Sequence, residues 1–131
     1  MSGILSPMGV AAGGVLIRTD DGTVMTANYA YCDASAQGET TIVPTQGAGV
    51  GIRVLGSVII ADQTVIARFR QSVGGVTYNM SAGMSVAQNG GWVQPFSKVG
   101  WQVTSPNAAL QIALNNAVIT GVNVIWIPSV V

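Results

Sequence analysis

The sequence predicts an all-β domain, a single antiparallel β-sandwich or jelly roll of roughly eight or nine short strands. Three observations lead there. Apolar residues alternate with others along most of the chain, and turn-forming residues recur about every 8–12 positions. No segment carries a capped apolar stripe of helical period. With 131 residues the chain fits one domain, and at that size folding buries roughly two thirds of the unfolded surface.

The first part of the chain stands apart. Residues 1–37 are rich in Gly, Ala and Ser and read as an N-terminal arm or hairpin, with the sandwich domain spanning 38–131. Within the arm, Val15-Leu16-Ile17-Arg18 and Thr23-Val24-Met25-Thr26 flank Asp20-Asp21-Gly22, a turn sequence of the kind that closes hairpins. The next strand is Thr40-Thr41-Ile42-Val43, which is β-branched and stops at Pro44, a residue that cannot donate to a ladder. Ile52 to Ile60 alternates, with Ile52, Val54, Gly56, Val58 and Ile60 expected on one face and Arg53, Leu55, Ser57 and Ile59 on the other. Thr64 to Arg70 repeats the pattern, with Val65, Ala67 and Phe69 on one side.

Gly74-Gly75 then supplies a hairpin turn. Met84 to Val86 makes a short strand before Asn89-Gly90-Gly91, and Trp101 to Thr104 makes another before the loop Ser105-Pro106-Asn107. Leu110, Ile112 and Leu114 share a face, although 108–116 is the one stretch that also fits a short helix. Asn115-Asn116 turns the chain. Val118 to Ile127 closes the domain, with Val122, Val124 and Trp126 together on one face and Trp126 expected in the core.

Composition points to association. Hydrophobic residues are 49% of the chain and charged residues 8%, against about 25% charged in an average domain. Five basic and five acidic groups cancel. A neutral, charge-poor surface leaves apolar area outside, which favours contact with other chains. No run approaches the ~18 apolar residues of a membrane-spanning helix. The opening residues lack the early Lys or Arg of a signal peptide, and the strands are too short and irregular for an outer-membrane barrel. No membrane association is expected. Cys32 is the single cysteine, so no intrachain disulfide forms, and a small, buried or half-buried thiol is expected.

Little in the chain offers catalytic chemistry. The absence of histidine removes Ser-His-Asp and Cys-His hydrolysis and the usual zinc sites. The carboxylates are Asp20, Asp21, Asp33, Glu39 and Asp62. Asp20 and Asp21 suit a hairpin tip, where Asp bonds nearby backbone N–H groups; a calcium site with Asp33 is the weaker alternative. Gly47-Ala48-Gly49-Val50-Gly51 precedes a strand and has no P-loop lysine, so it reads as a connector rather than a phosphate cradle. Arg53, Arg68 and Arg70 fall on neighbouring strands as a small basic patch, too few charges for firm nucleic-acid binding. No enzyme activity, cofactor, metal or nucleic-acid partner is expected. Trp92 and Trp101 lie in Asn89-Gly90-Gly91-Trp92-Val93-Gln94-Pro95-Phe96-Ser97-Lys98-Val99-Gly100-Trp101. That stretch is either a structural corner or a display of rings that stack on sugars.

From Gly38 to Ile127 the order of motifs resembles a family of small structural proteins of tailed bacteriophages. The motifs are Thr40-Thr41-Ile42-Val43, Ile52-Arg53-Val54-Leu55, Phe69, Ala87 with Asn89-Gly90-Gly91-Trp92, Pro95-Phe96, Gly100-Trp101, Ala109-Leu110-Gln111-Ile112 and Gly121-Val122. The chain departs from the family before Gly38, and at Ser97-Lys98-Val99, where a turn-like Asn-Pro step belongs. The resemblance implies a jelly-roll-like sandwich in the virion, a capsid decoration (cement) protein, made in the host cytoplasm. It further implies a homotrimer that clamps neighbouring subunits of the major capsid protein. Val15, Leu16 and Ile17, with the 40–43 strand, are expected to pair across chains, and Arg53, Arg68 and Arg70 to make polar capsid contacts. The alternative is a tail or fibre component that binds a receptor saccharide through Trp92 and Trp101.

Overall fold

The computed structural model describes residues 15–18 and 24–130. Among them there is no helix, and eleven strands form two antiparallel sheets. In chain order the strands are β1 (Val15–Arg18), β2 (Val24–Ala34), β3 (Gly38–Val43), β4 (Val50–Ala61), β5 (Val65–Val73) and β6 (Val76–Asn79). They continue as β7 (Met84–Val86), β8 (Gly91–Gln94), β9 (Gln102–Val103), β10 (Ala109–Leu114) and β11 (Thr120–Val130). The first sheet runs β1-β2-β11-β4-β8, with β9 also on β4; the second runs β3-β10-β5-β6, with β7 also on β5. From β2 onward six of the nine connections cross between the sheets, which ties them into one sandwich. The extra strands beyond the expected number are short pieces, such as β9, that share one edge of a longer neighbour.

Each face follows from the period-two placement of side chains. Val65, Ala67 and Phe69 of β5 are buried and meet Leu110, Ile112 and Leu114 of β10 across the second sheet's inner face. The first sheet answers with Val122, Val124 and Trp126 of β11 and Ile52, Val54 and Ile59 of β4. The 108–116 stretch is therefore a strand and its turn. Its apolar residues sit at every second position and find two flanking strands, β3 and β5.

The expected alternation of β4 is corrected by a bulge. Ile125 of β11 faces Gly56, yet Trp126 faces Val54, so Leu55 is an extra residue on β4. A bulge swaps the faces on either side of it. Ile52 and Val54 point inward before it; Ser57, Ile59 and Ala61 point inward after it. Leu55 turns outward into a small second cluster with Ala27 and Ile127.

The stretch grouped with the arm is also placed differently. Val24–Ala34 pairs along β11 from Asn28 to Ala34 and is a strand of the first sheet. Its inward residues are Ala30, Cys32 and Ala34, small side chains that give the strand little hydropathy contrast. β1 pairs antiparallel with β2, Val15 opposite Ala27, which makes the hairpin; its tip at Asp20-Asp21-Gly22 lies outside the described residues. Gly74 and Gly75 have φ of 57° and 83°, the left-handed pair that a two-residue hairpin turn between β5 and β6 requires.

Candidate interaction surface

The outward face of the first sheet is apolar across four strands. Tyr31 of β2, Asn123 of β11, Val58 of β4 and Val93 of β8 stand opposite one another in register. Next to that row come Tyr29, Ile125 and the bulge glycine Gly56. Tyr31 is 53% exposed, Val93 59%, Phe96 52% and Ile60 55%. Soluble chains rarely leave so many large apolar side chains together in water unless something covers them.

Between these side chains runs a groove of about 360 Å³. Tyr29 and Tyr31 form one wall, Val93, Pro95 and Phe96 the other, and Gly56, Val58 and Ile125 the floor. Its lining contains no charged residue. Gly56 keeps the floor open. A Cβ there would meet the Gln94 carbonyl oxygen at 3.3 Å and Phe96 Cα at 3.5 Å.

The far wall is built by the tryptophan-rich stretch. Asn89, with φ of 56°, and Gly90 turn the chain, and Gly91–Gln94 then pairs with β4 from Ser57 to Ile60. Gln94 turns inward, where its side-chain oxygen accepts from the Ser57 hydroxyl at 2.8 Å. From Pro95 the chain loops out and returns to β4: the Ser97 N–H donates to Leu55 O (2.8 Å) and the Trp101 N–H to Val54 O (2.7 Å). Inside the loop the Trp101 indole N–H donates to Pro95 O at 2.7 Å. The Arg53 guanidinium donates to Val99 O at 2.7 Å. The stretch is thus a corner clipped at both ends to one strand, and Phe96 is carried on it to the groove's rim.

Trp92 and Trp101 do not form a pair of displayed rings. Trp92 sits opposite Ile59 and packs against the inner core, while Trp101 is 48% exposed with its N–H already engaged. Trp126 is in the core, as its alternation predicts.

The arginines are separated too. Arg53 lies on the first sheet, and Arg68 and Arg70 lie on β5 of the second, so the expected single patch is absent. Arg70 pairs with Glu39 at 3.1 Å and donates to Asn79 at 2.7 Å. Arg68 lines a separate, more polar recess of about 410 Å³ with Gln37 and Asn115. Position on one strand fixed 68 and 70 together; sheet membership, which alternation does not encode, removed Arg53.

Val15, Leu16 and Ile17 pair with β2 of their own chain, and residues 40–43 pair with β10. Among the described residues β1 and β3 each end a sheet, so each keeps one edge unpaired within the chain. Tyr29 and Tyr31 are not candidates from the sequence, because its strand signal covers 23–26 and not the continuation of β2 to Ala34. The available signal was Tyr29, Tyr31 and Asp33 alternating with Ala30, Cys32 and Ala34.

The chain matches no protein-family model, no curated protein and no solved structure. The surface must therefore be interpreted from its own chemistry. Among the described residues no group of three or more His, Cys, Asp and Glu side chains could hold a metal ion, and no helix is long and apolar enough to cross a membrane. Burial pushes the Cys32 thiol up to about 11, and the neighbouring Asp33 carboxylate adds to the shift. What the groove can do is bind: it offers aromatic and aliphatic walls, two phenol hydroxyls and the Asn123 amide.

Proposed function

We propose that this chain is a non-enzymatic structural protein of a virion, a capsid decoration (cement) protein. In this reading it acts as a homotrimer that holds neighbouring major-capsid subunits together, with the outward face of its first sheet as a contact surface of the assembly. The observation that carries the reading is that face: exposed Tyr29, Tyr31, Ile60, Val93 and Phe96 on a chain with only 8% charged residues. The motif order from Gly38 to Ile127 supplies the virion setting. Attachment then comes from buried apolar area, at about 25 cal/mol per Å² before the costs of association. Separating two capsid subunits bridged by the protein must break several such contacts at once.

The test is co-sedimentation with empty capsids of the virus that encodes the chain. The bound fraction is expected to hold between about 0.1 and 1 M NaCl, because salt screens charges and not apolar burial. Release by NaCl alone, or no binding at any salt, counts against the reading. The exposed Trp101 and the aromatic walls of the groove favour one second reading, a saccharide-binding module of a tail or fibre. Calorimetric titration with sugars separates the two: saturable binding lost in Trp101→Ala or Tyr31→Ala supports the module.

A further inference from the structure

We propose that the groove on the first sheet is the seat for residues 1–14 of a second copy of this chain. The inference rests on reading that face as a contact surface, and it names the occupant.

Shape comes first. The groove is concave, so two copies stacked face to face would leave both grooves empty; the occupant must be narrow. Its walls stand on β2 and β8, three strand spacings apart, or about 14 Å. Its floor is the two strands between them. Less the side chains that form the walls, that width suits one extended chain better than a helix, which with its side chains is about 10–12 Å across.

Chemistry comes next. The lining has no charge, so a charged segment would lose its hydration there without gaining a partner. Residues 71–97 and 99–131 are also uncharged but largely built into the two sheets, which leaves the segment ahead of β1 to meet this condition. No charged residue precedes Arg18, and Ile4, Leu5, Met8 and Val10 supply apolar side chains among glycine, serine and alanine. Residues 1–14 lie outside the described residues and join them at Val15, at the start of β1. Fully extended, such a segment reaches about 46 Å. The groove floor, from Gly56 to Val58, takes only a few residues of that length, and the remainder spans the gap between copies.

Geometry selects the second copy over the same chain. Val15 opposes Ala27 on the outer edge of β2, and the Tyr29 and Tyr31 side chains stand between that edge and the floor. The chain's own arm would have to climb this wall and fold back at Gly13-Gly14. An arm from a facing copy enters from the open side. Zero net charge leaves no long-range repulsion between copies.

The experiment measures the mass of the full chain in solution, without capsids, over a range of concentrations. Three proteins are compared: the parent, an arm variant Leu5→Asp and a groove variant Val93→Lys. Val93 is exposed, so the lysine enters the groove wall without disturbing the core, and near-parent circular dichroism and melting confirm the fold. The parent is expected to self-associate, and each variant alone to associate at least tenfold more weakly. An equimolar mixture of the two variants is expected to recover a two-chain species, because one intact arm meets one intact groove. A synthetic peptide of residues 1–14 is expected to dissociate the parent. A monomeric parent, variants that associate normally, or a mixture that stays monomeric would overturn the proposal; the last outcome is what insertion within one chain predicts. Capsid binding is read separately, so cement function with a monomeric parent sinks this inference alone, and self-association without capsid binding sinks only the virion reading.

Discussion

Cys32 illustrates how much one step along a strand decides. It faces inward with Ala30 and Ala34, while Tyr31 and Asp33 on either side face out. Partial burial and the Asp33 carboxylate together hold its thiol neutral up to about pH 11, against 9.0 for a free thiol. The thiolate is the reactive form, so alkylation at pH 8 should be far slower than for a small-molecule thiol. Its rate should keep climbing past pH 10, which stopped-flow or mass-spectrometric labelling would show. The linked effect on stability has a definite sign. Between about 9 and 11 the unfolded thiol has lost its proton and the folded one has kept it, so stability falls as pH rises through that window. Urea melts of the parent and Cys32→Ala should diverge there and run parallel below it. Gly100 is a second residue with little freedom. Its φ is 95°, and a Cβ would sit 2.7 Å from Arg53 Cγ, at the returning end of the loop that carries Phe96. Gly100→Ala is expected to cost about 1–3 kcal/mol, read as a lowered urea midpoint with an unchanged slope.

Among the elements, β4 organises the first sheet, and its bulge is what lets one strand serve two clusters. Deleting Leu55 would leave Val54 opposite Trp126 and Gly56 opposite Ile125 as immediate neighbours, so Ile52, Val54, Ile59 and Ala61 keep their inward faces and the loss falls on the outer cluster with Ala27 and Ile127. The expected outcome is a melt that stays cooperative at a lowered urea midpoint; loss of cooperativity would contradict the role given to the bulge. The bulge also marks where the sequence stopped being legible. Alternation alone carries Ile52 and Ile60 on the same side, and only the partner strand's register reveals the extra residue. By contrast β5 was readable from Val65, Ala67 and Phe69, and the β5–β6 turn from Gly74-Gly75, because those signals are local. β2 was not. Alanines fill its inward positions, and burial beneath β3 and beside β11 depends on neighbours far along the chain. The groove stayed hidden for the same reason: its walls come from Tyr29, Tyr31, Val93 and Phe96, residues whose meeting is set by strand order and not by spacing. The corner at Asn89-Gly90-Gly91 was legible as a corner, whereas the loss of Trp92 to the core side followed from its register with Ile59.

For the whole molecule, sheet order matters more than any single contact. β11 lies between β2 and β4 and pairs with both along most of its length, although long stretches of chain separate them. Folding dominated by such distant pairings is slow, so refolding from urea should take milliseconds to seconds; microsecond recovery would contradict this architecture. The same placement has a consequence at the ribosome. β4 ends at Ala61 and β11 begins at Thr120, an interval of translation lasting about 3–12 s at about 5–20 residues per second. Until β11 emerges, β2 and β4 each present a row of unpaired backbone groups to any other nascent chain. Polysome crowding, rather than the finished protein's surface, is then the moment of greatest exposure to aggregation, and slower initiation or lower temperature during expression should raise the soluble yield.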